Sequence, residues 1–367
     1  MRVAIFHDYL NQFGGAERVL QAFLEIFPKA DIYTLVYDKD RTFGVFDENI
    51  KKTSFLDRPI VRKHHRLFIP FMPIAAHFLR SKEKYDLIIS STAGYGKGIR
   101  INAPYHISYC HSPLRYAWEI DYLKDLPFSP WPLKEMVVRP IARILKLWDK
   151  KSSQRVNVFF TNSNYIKNKI RSYYGRDAEV IYPPVDTEIF YPNRDKKTEK
   201  NPYYVMVGRL LYYKRFDLGI IAFNKMKKKL KIVGRGPEFK KLKHLANPEY
   251  IEFIGDADDD KLRKIYSNAR AFLFPQIEDF GLVAAEAQAC GTPVVAFNVG
   301  GGPEIIVHRK TGLLFNKQTA EAIINAIHEV EKIPWKRWYI ARHGREFSKE
   351  AFKKNIIKNI RGLGFIV

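Results

Sequence analysis

Cysteine is scarce in this chain of 367 residues: Cys110 and Cys290 stand in opposite halves and form no metal-ligand spacing. A reduced, cytoplasmic chain is the expectation. Acidic residues are also few, 39 against 62 basic ones, which leaves a formal net charge of +23. Partners should therefore be acidic: nucleic acid, phosphorylated metabolites or anionic lipid. Long apolar runs are missing, and none approaches the ~18–20 residues that a membrane-crossing helix needs. Met1 opens directly onto the strand RVAIF, so no leader is expected.

What is present suits a globular enzyme, with 46% apolar and 28% charged residues. The length exceeds what one core usually serves, so two domains are expected. RVAIF, AERVLQAFLEIF and DIYTLVY open an alternation of apolar strands and helical patterns, continued by DLIISS, YHISYC, VNVFFT and AEVIYP. Continuous apolar strands between helices predict a parallel, doubly wound sheet. Prolines 183, 184 and 192 interrupt the alternation, and the charged run 193–202 reads as a linker. It then restarts with YYVMVG, FDLGIIAFNKM, LKIVG, YIEFIG and AFLF. The expected fold is thus α/β, with two Rossmann-like domains facing across a cleft and a hinge near 183–202.

Chemistry concentrates in PQIEDFGLVAAEAQACGTPVVAF, from Pro275. It reads as a loop through Gln276 and Phe280, a helix opening near Gly281, and a strand. Ligands of parallel sheets collect at the carboxyl ends of the strands, and amides that open a helix attract an anion. Glu278 precedes those amides and Glu286 lies just over one turn in. Two acids would repel a phosphate, so they are expected to accept hydrogen bonds from neutral hydroxyls. Hydroxyls flanking a phosphate describe a nucleotide sugar. In VGRLLYYKRFD, Arg209 and Lys214 follow a strand ending at Gly208, where a guanidinium and an ammonium would stabilise a leaving diphosphate without a metal. Gly14 and Gly15 sit between the first strand and its helix, where backbone amides can meet a phosphate, although tight turns use the same pair. His111 follows the strand YHISYC, where a lone histidine is more often structural.

The string from Pro275, with its two glutamates, resembles the signature of retaining glycosyltransferases of family 4 (group 1), which have the GT-B architecture. The resemblance covers nearly the whole chain. It implies that residues 1–190 form an acceptor-binding domain, 191–345 a donor-binding domain, and 346–367 a C-terminal helix crossing back to the first. It implies that Arg209 and Lys214 bind the diphosphate with the amides of Gly281 and Leu282, while Glu278 holds sugar hydroxyls and Glu286 the ribose. Gly234, Phe253, Ile254 and Phe280 would line the nucleotide, Gly14 and Gly15 would close over it, and His111 would contact the transferred sugar. No metal is expected, because Asp258, Asp259 and Asp260 stand at a helix start where they cap. SYCHSPLRYAWE and VIYPPVDTEIF are similar to bacterial mannosyltransferases of O-antigen and surface polysaccharide that use GDP-mannose. Nothing in the chemistry of these residues singles out guanine or mannose.

Arg58 to Lys84 mixes basic residues with Leu67, Phe68, Ile69, Phe71, Met72 and Phe78, around a single acid, Glu83. Such a mixture favours an anionic membrane surface, although a buried segment flanked by solvated charges would read the same. The acceptor is expected on a polyprenyl diphosphate, with the enzyme peripheral at the inner face of the cytoplasmic membrane. The rivals are a different donor (a UDP- or ADP-sugar), an epimerase or hexose-phosphate synthase of the same architecture, and a basic nucleic-acid-binding protein.

Overall fold

The computed structural model describes residues 1–119, 131–193 and 202–367, and of residues 131–137 the backbone alone. The linker run 193–202 lies, from 194 to 201, outside the described residues. Two compact units emerge: Met1–Tyr182 with Phe352–Val367, and Pro183–Ala351.

Among the described residues the first unit contains seven strands: β1 (Val3–Leu10), β2 (Asp31–Tyr37), β3 (Ile50–Thr53), β4 (Leu87–Thr92), β5 (His106–Cys110), β6 (Val158–Thr161) and β7 (Glu179–Val180). All pair in parallel, in the order β3-β2-β1-β4-β5-β6-β7. Apolar side chains leave both faces of each central strand. Val3 and Ile5 enter one core with Leu87 and Ile89, while Ala4 and Phe6 enter another with Ile88. That explains the unbroken apolar run of RVAIF, since a strand covered on both faces shows no polar alternation.

The last helix, Lys349–Gly362, sends Phe352, Ile356 and Ile360 into the first of these cores, beside Val19 and Phe23. The four-residue spacing places the three on one helical face. The Phe352 ring meets Phe23 at 5.4 Å and Tyr109 at 5.7 Å, both edge-on.

Among its described residues the second unit has six parallel strands: β8 (Tyr204–Val207), β9 (Leu230–Val233), β10 (Ile251–Gly255), β11 (Phe272–Phe274), β12 (Val294–Phe297) and β13 (Gly312–Phe315), ordered β10-β9-β8-β11-β12-β13. Its core joins Tyr204 and Met206 to helix Phe216–Met226 and helix Ala320–Lys332. Both units are Rossmann-like, as the alternation predicts. In each, strand order reverses once, between β1 and β4 and between β8 and β11. Loops leaving the strands on either side of such a reversal diverge and open a crevice.

Candidate functional site

In the second unit the loops at the reversal are those after β8 and β11. The Lys214 ammonium lies 2.5 Å from Glu278 Oε1, and both side chains are largely buried, at 13% and 21% exposure. Gly208, at φ +147°, makes room for this: a Cβ there would stand 3.3 Å from Lys214 Nζ. A second tie joins the same loops. Arg215 donates from Nε and Nη2 to Asp217 and from Nη1 to Gln318, and Gln318 donates to the Pro275 carbonyl at 2.8 Å. Arg215 is thus a fixed strut between the loops. Arg209 is exposed at the end of β8.

The Glu278 loop is held from behind by glycines that sequence reasoning passed over. Gly301 N–H donates to the Glu278 carbonyl at 2.7 Å. A Cβ on Gly300 would come within 2.7 Å of that same oxygen, and one on Gly301 within 2.2 Å of the Asp279 carbonyl. The run Gly300-Gly301-Gly302 was the available signal. Gly281, at φ +102°, caps helix Leu282–Ala289, and a Cβ there would press on the Phe274 ring at 2.6 Å. Phe280 is buried and packs edge-on against Phe347 at 5.6 Å, so it anchors the loop. The opening amides of the helix have no intrahelical acceptor, and Leu282, the first helical residue, is half-buried. Glu286, in the same helix, is buried with the Tyr266 hydroxyl donating to it at 3.4 Å.

Gly234, at φ +126°, faces backbone: a Cβ would lie 2.1 Å from the Gly208 carbonyl, and its N–H donates to Gly255 O at 2.7 Å. Its demand for glycine therefore comes from the neighbouring β8 loop. Phe253 and Ile254 are half-buried at the irregular end of β10, where Phe253 meets Phe239 edge-on at 5.5 Å. Asp258 caps its helix by accepting from Lys261 N–H at 2.8 Å, and Asp260 pairs with Arg263 and Lys264.

The first unit brings together groups far apart in sequence. His111 follows β5 and places Nε2 2.8 Å from Ser91 Oγ, on β4. Ser91 Oγ is also 3.1 Å from His7 Nδ1, on β1, and His7 Nε2 is 3.5 Å from Glu17 Oε1. Glu17 Oε2 accepts the Gly14 N–H at 2.8 Å, closing the first turn of helix Gly15–Ile26. That carboxylate occupies the Gly14 amide, which the glycine-loop reading had offered to a phosphate; Gly15, next along, is exposed. Burial first, then His7 and Arg115, pushes the His111 pKa down to about 3, so the ring is neutral at pH 7. The His111 backbone is held on both sides, donating to Thr92 O at 2.8 Å and accepting from Asn162 Nδ2 at 3.0 Å. Ser163 provides the cap of the following helix, accepting from Ile166 N–H.

Two further buried acids escaped the sequence reading. Asp8 accepts from Thr92 Oγ1 and from the amides of Ala93, Tyr95 and Gly96, all within 3.0 Å. Asp149 lies 3.1 Å from Lys97 Nζ and accepts from Tyr174, Trp118 and the Leu114 amide. The signal for Asp8 was an acid inside the apolar strand VAIFHDYL. Both hold the loops around His111.

Among known proteins, the model of glycosyl transferases group 1 matches residues 187–347 and that of Glycosyltransferase Family 4 matches residues 13–189. A GDP-mannose-dependent alpha-(1-6)-phosphatidylinositol monomannoside mannosyltransferase of Mycobacterium tuberculosis is 30% identical over 46% of this chain and 51% of its own. An uncharacterised glycosyltransferase of Methanocaldococcus jannaschii is 30% identical over 54% of this chain and 56% of its own. The chain thus spans about half the length of these curated relatives. The crystal structure of Anabaena HepE in complex with UDP superimposes with a TM-score of 0.72 over 99% of this chain and all of that one, at 17% identity, which shows a shared fold. The two family matches meet at residues 187–189 and together run from residue 13 to 347, and with two Rossmann-like units behind them they make this chain a member of the GT-B glycosyltransferases of group 1 and family 4.

Proposed function

We propose that the protein is a retaining, metal-independent glycosyltransferase that moves mannose from GDP-mannose onto a glycan hydroxyl in surface-polysaccharide synthesis. The observation that carries the reading is the Lys214–Glu278 pair, set at the strand-order reversal of the second sheet. The ammonium, with Arg209 and the amides of Gly281 and Leu282, would take up charge on the departing diphosphate. Glu278 would hold hydroxyls of the transferred sugar, Glu286 those of the ribose, and His111 a further sugar hydroxyl. The bond between the anomeric carbon and the diphosphate oxygen breaks, the acceptor oxygen bonds to that carbon from the same face, and the acceptor's proton passes to the departing diphosphate. Charge supplied by side chains and helix amides leaves no step that needs a metal.

Mannose is favoured by the M. tuberculosis relative, whose name specifies GDP-mannose. The Anabaena neighbour holds UDP, which makes a UDP-sugar the second reading. Release of nucleoside diphosphate from GDP-mannose, UDP-glucose and ADP-glucose, with a polyprenyl-linked glycan acceptor and excess EDTA, separates them. We expect acceptor-dependent GDP release that survives EDTA. Release from UDP-glucose alone would replace the donor, and loss with EDTA would remove the metal-free mechanism.

We also assign the first unit an anionic membrane surface. Phe71, Ile74 and Phe78 are each about half exposed, at 53%, 48% and 58%. Their spacing puts them on one helical face, the Arg80 guanidinium lies over the Phe78 ring at 5.9 Å, and Arg58, Lys63 and Lys82 are exposed in the same segment. Ile69 and Met72 are buried, and Phe68 packs against the core. Those three therefore belong to the interior of this segment. Among the described residues no helix is long and apolar enough to cross a membrane.

A further inference from the structure

We infer that Glu17, His7 and Ser91 are positioning residues that fix the tautomer of His111, so that its Nδ1 meets substrate as a hydrogen-bond acceptor. The inference rests on the proposed role of His111 toward a sugar hydroxyl, and it specifies the sense of that hydrogen bond.

Topology makes the cluster. β1, β4 and β5 are neighbours, and His7 pairs in register with Ser91. His111 is the first residue beyond β5, and Glu17 is in the first turn of the helix after β1. His7, Ser91 and Glu17 are all buried, with 3% exposure or less, so water does not compete for their bonds.

A serine hydroxyl has one proton. Standing between two ring nitrogens, Ser91 Oγ donates to one and accepts from the other, and by itself the pair could run in either direction. Glu17 breaks the symmetry, because a carboxylate only accepts. With Gly14 N–H on Oε2, its Oε1 faces His7 Nε2 and draws the proton of a neutral His7 to that nitrogen. His7 Nδ1 is then bare and accepts from the Ser91 hydroxyl. The Ser91 oxygen in turn accepts from His111, which must carry its proton on Nε2. A neutral imidazole has a single N–H, so His111 Nδ1 is left as a lone pair. Its partner on a substrate is a group that donates, such as a hydroxyl.

The test is imidazole nitrogen NMR on the full-length, ligand-free protein, with His111 resonances assigned by their loss in His111→Gln. We expect the Nε2–H tautomer for His111. A proton on Nδ1, as a doubly protonated His7 would impose through Ser91, overturns the inference. In Glu17→Gln the Gly14 N–H retains the side-chain oxygen and turns the amide nitrogen toward His7, which reverses every donor in the chain. The His111 proton should move to Nδ1, and kcat/KM for the sugar nucleotide should fall about tenfold or more with unchanged thermal unfolding. An unchanged tautomer in Glu17→Gln contradicts the relay. Ser91→Ala provides the same check by another route: the tautomer preference should be lost, and its persistence would overturn the claim. Since the NMR is done without substrate, the relay stands or falls independently of which donor is turned over, or whether one is.

Discussion

Lys214 and Glu278 are 64 positions apart in the chain and in hydrogen-bond contact in the fold. In the proposed reaction the carboxylate holds the ammonium in place before any diphosphate arrives, which removes the cost of reorganising it during reaction. Lys214→Met should lower kcat by about a hundredfold or more in the diphosphate-release assay. A rate within a factor of two of wild type would deny the lysine that role. His106 gives a test that does not involve chemistry. Burial first, then Lys97, lowers its pKa to about 4, while an unfolded histidine titrates near ~6.5. The unfolded state therefore binds the proton first as pH falls, so the stability that neutral His106 contributes is intact above pH ~6.5 and shrinks toward pH 4. From this residue alone, denaturant unfolding should show a loss of about 2 kcal/mol between pH 7 and pH 5. His106→Gln should flatten that part of the slope, and an unaltered slope would assign it to other groups. Residues such as Lys214 and Glu278 stood out in the sequence because their neighbours form a recognisable string. His7, Ser91 and Asp8 did not, because their partners lie as much as 84 positions or more away and only strand order brings them together.

At the scale of elements, the β11 loop and the helix after it depend on glycines whose roles are steric. Gly281 carries a positive φ and an aromatic ring where a Cβ would go. Gly281→Ala should cost on the order of 1–3 kcal/mol and weaken nucleotide binding as the helix start shifts. Thermal unfolding and donor titration together check this, and a variant with unchanged stability and affinity would show that the helix start tolerates another residue. The helix boundary at Gly281 was legible from glycine, proline and apolar spacing. The backing run at Gly300 to Gly302 was not, because its meaning lies in contact with Glu278 and Asp279, in a loop well before it in the chain. Gly234 shows another case: the resemblance directed it at the nucleotide, but the atom crowding it is the Gly208 carbonyl.

For the molecule as a whole, the double winding of both halves followed directly from unbroken apolar strands, since only sheets covered on both faces permit them. The return of the last helix to the first unit came from resemblance, because no periodicity in KEAFKKNIIKNIRG states which sheet its apolar face covers. Ile356→Asp puts a charge into a fully buried position of that unit and should destabilise it by several kcal/mol. Unfolding monitored by denaturant would show this, and an unshifted transition would mean that the helix is dispensable to the core. Replacing Phe71 and Phe78 with serine should reduce sedimentation with anionic vesicles and leave unfolding unaffected. Equal binding by the variant would return that face to ordinary surface.

Calorimetric titration of GDP into the wild-type protein and into Lys214→Met addresses the central claim, a sugar diphosphate held beside Lys214 and Glu278, most directly. We expect saturable binding to the wild type and affinity at least about tenfold weaker in the variant, the loss of roughly one charge-assisted contact. Equal affinity in both proteins, or no binding of GDP, UDP or ADP to either, would contradict it.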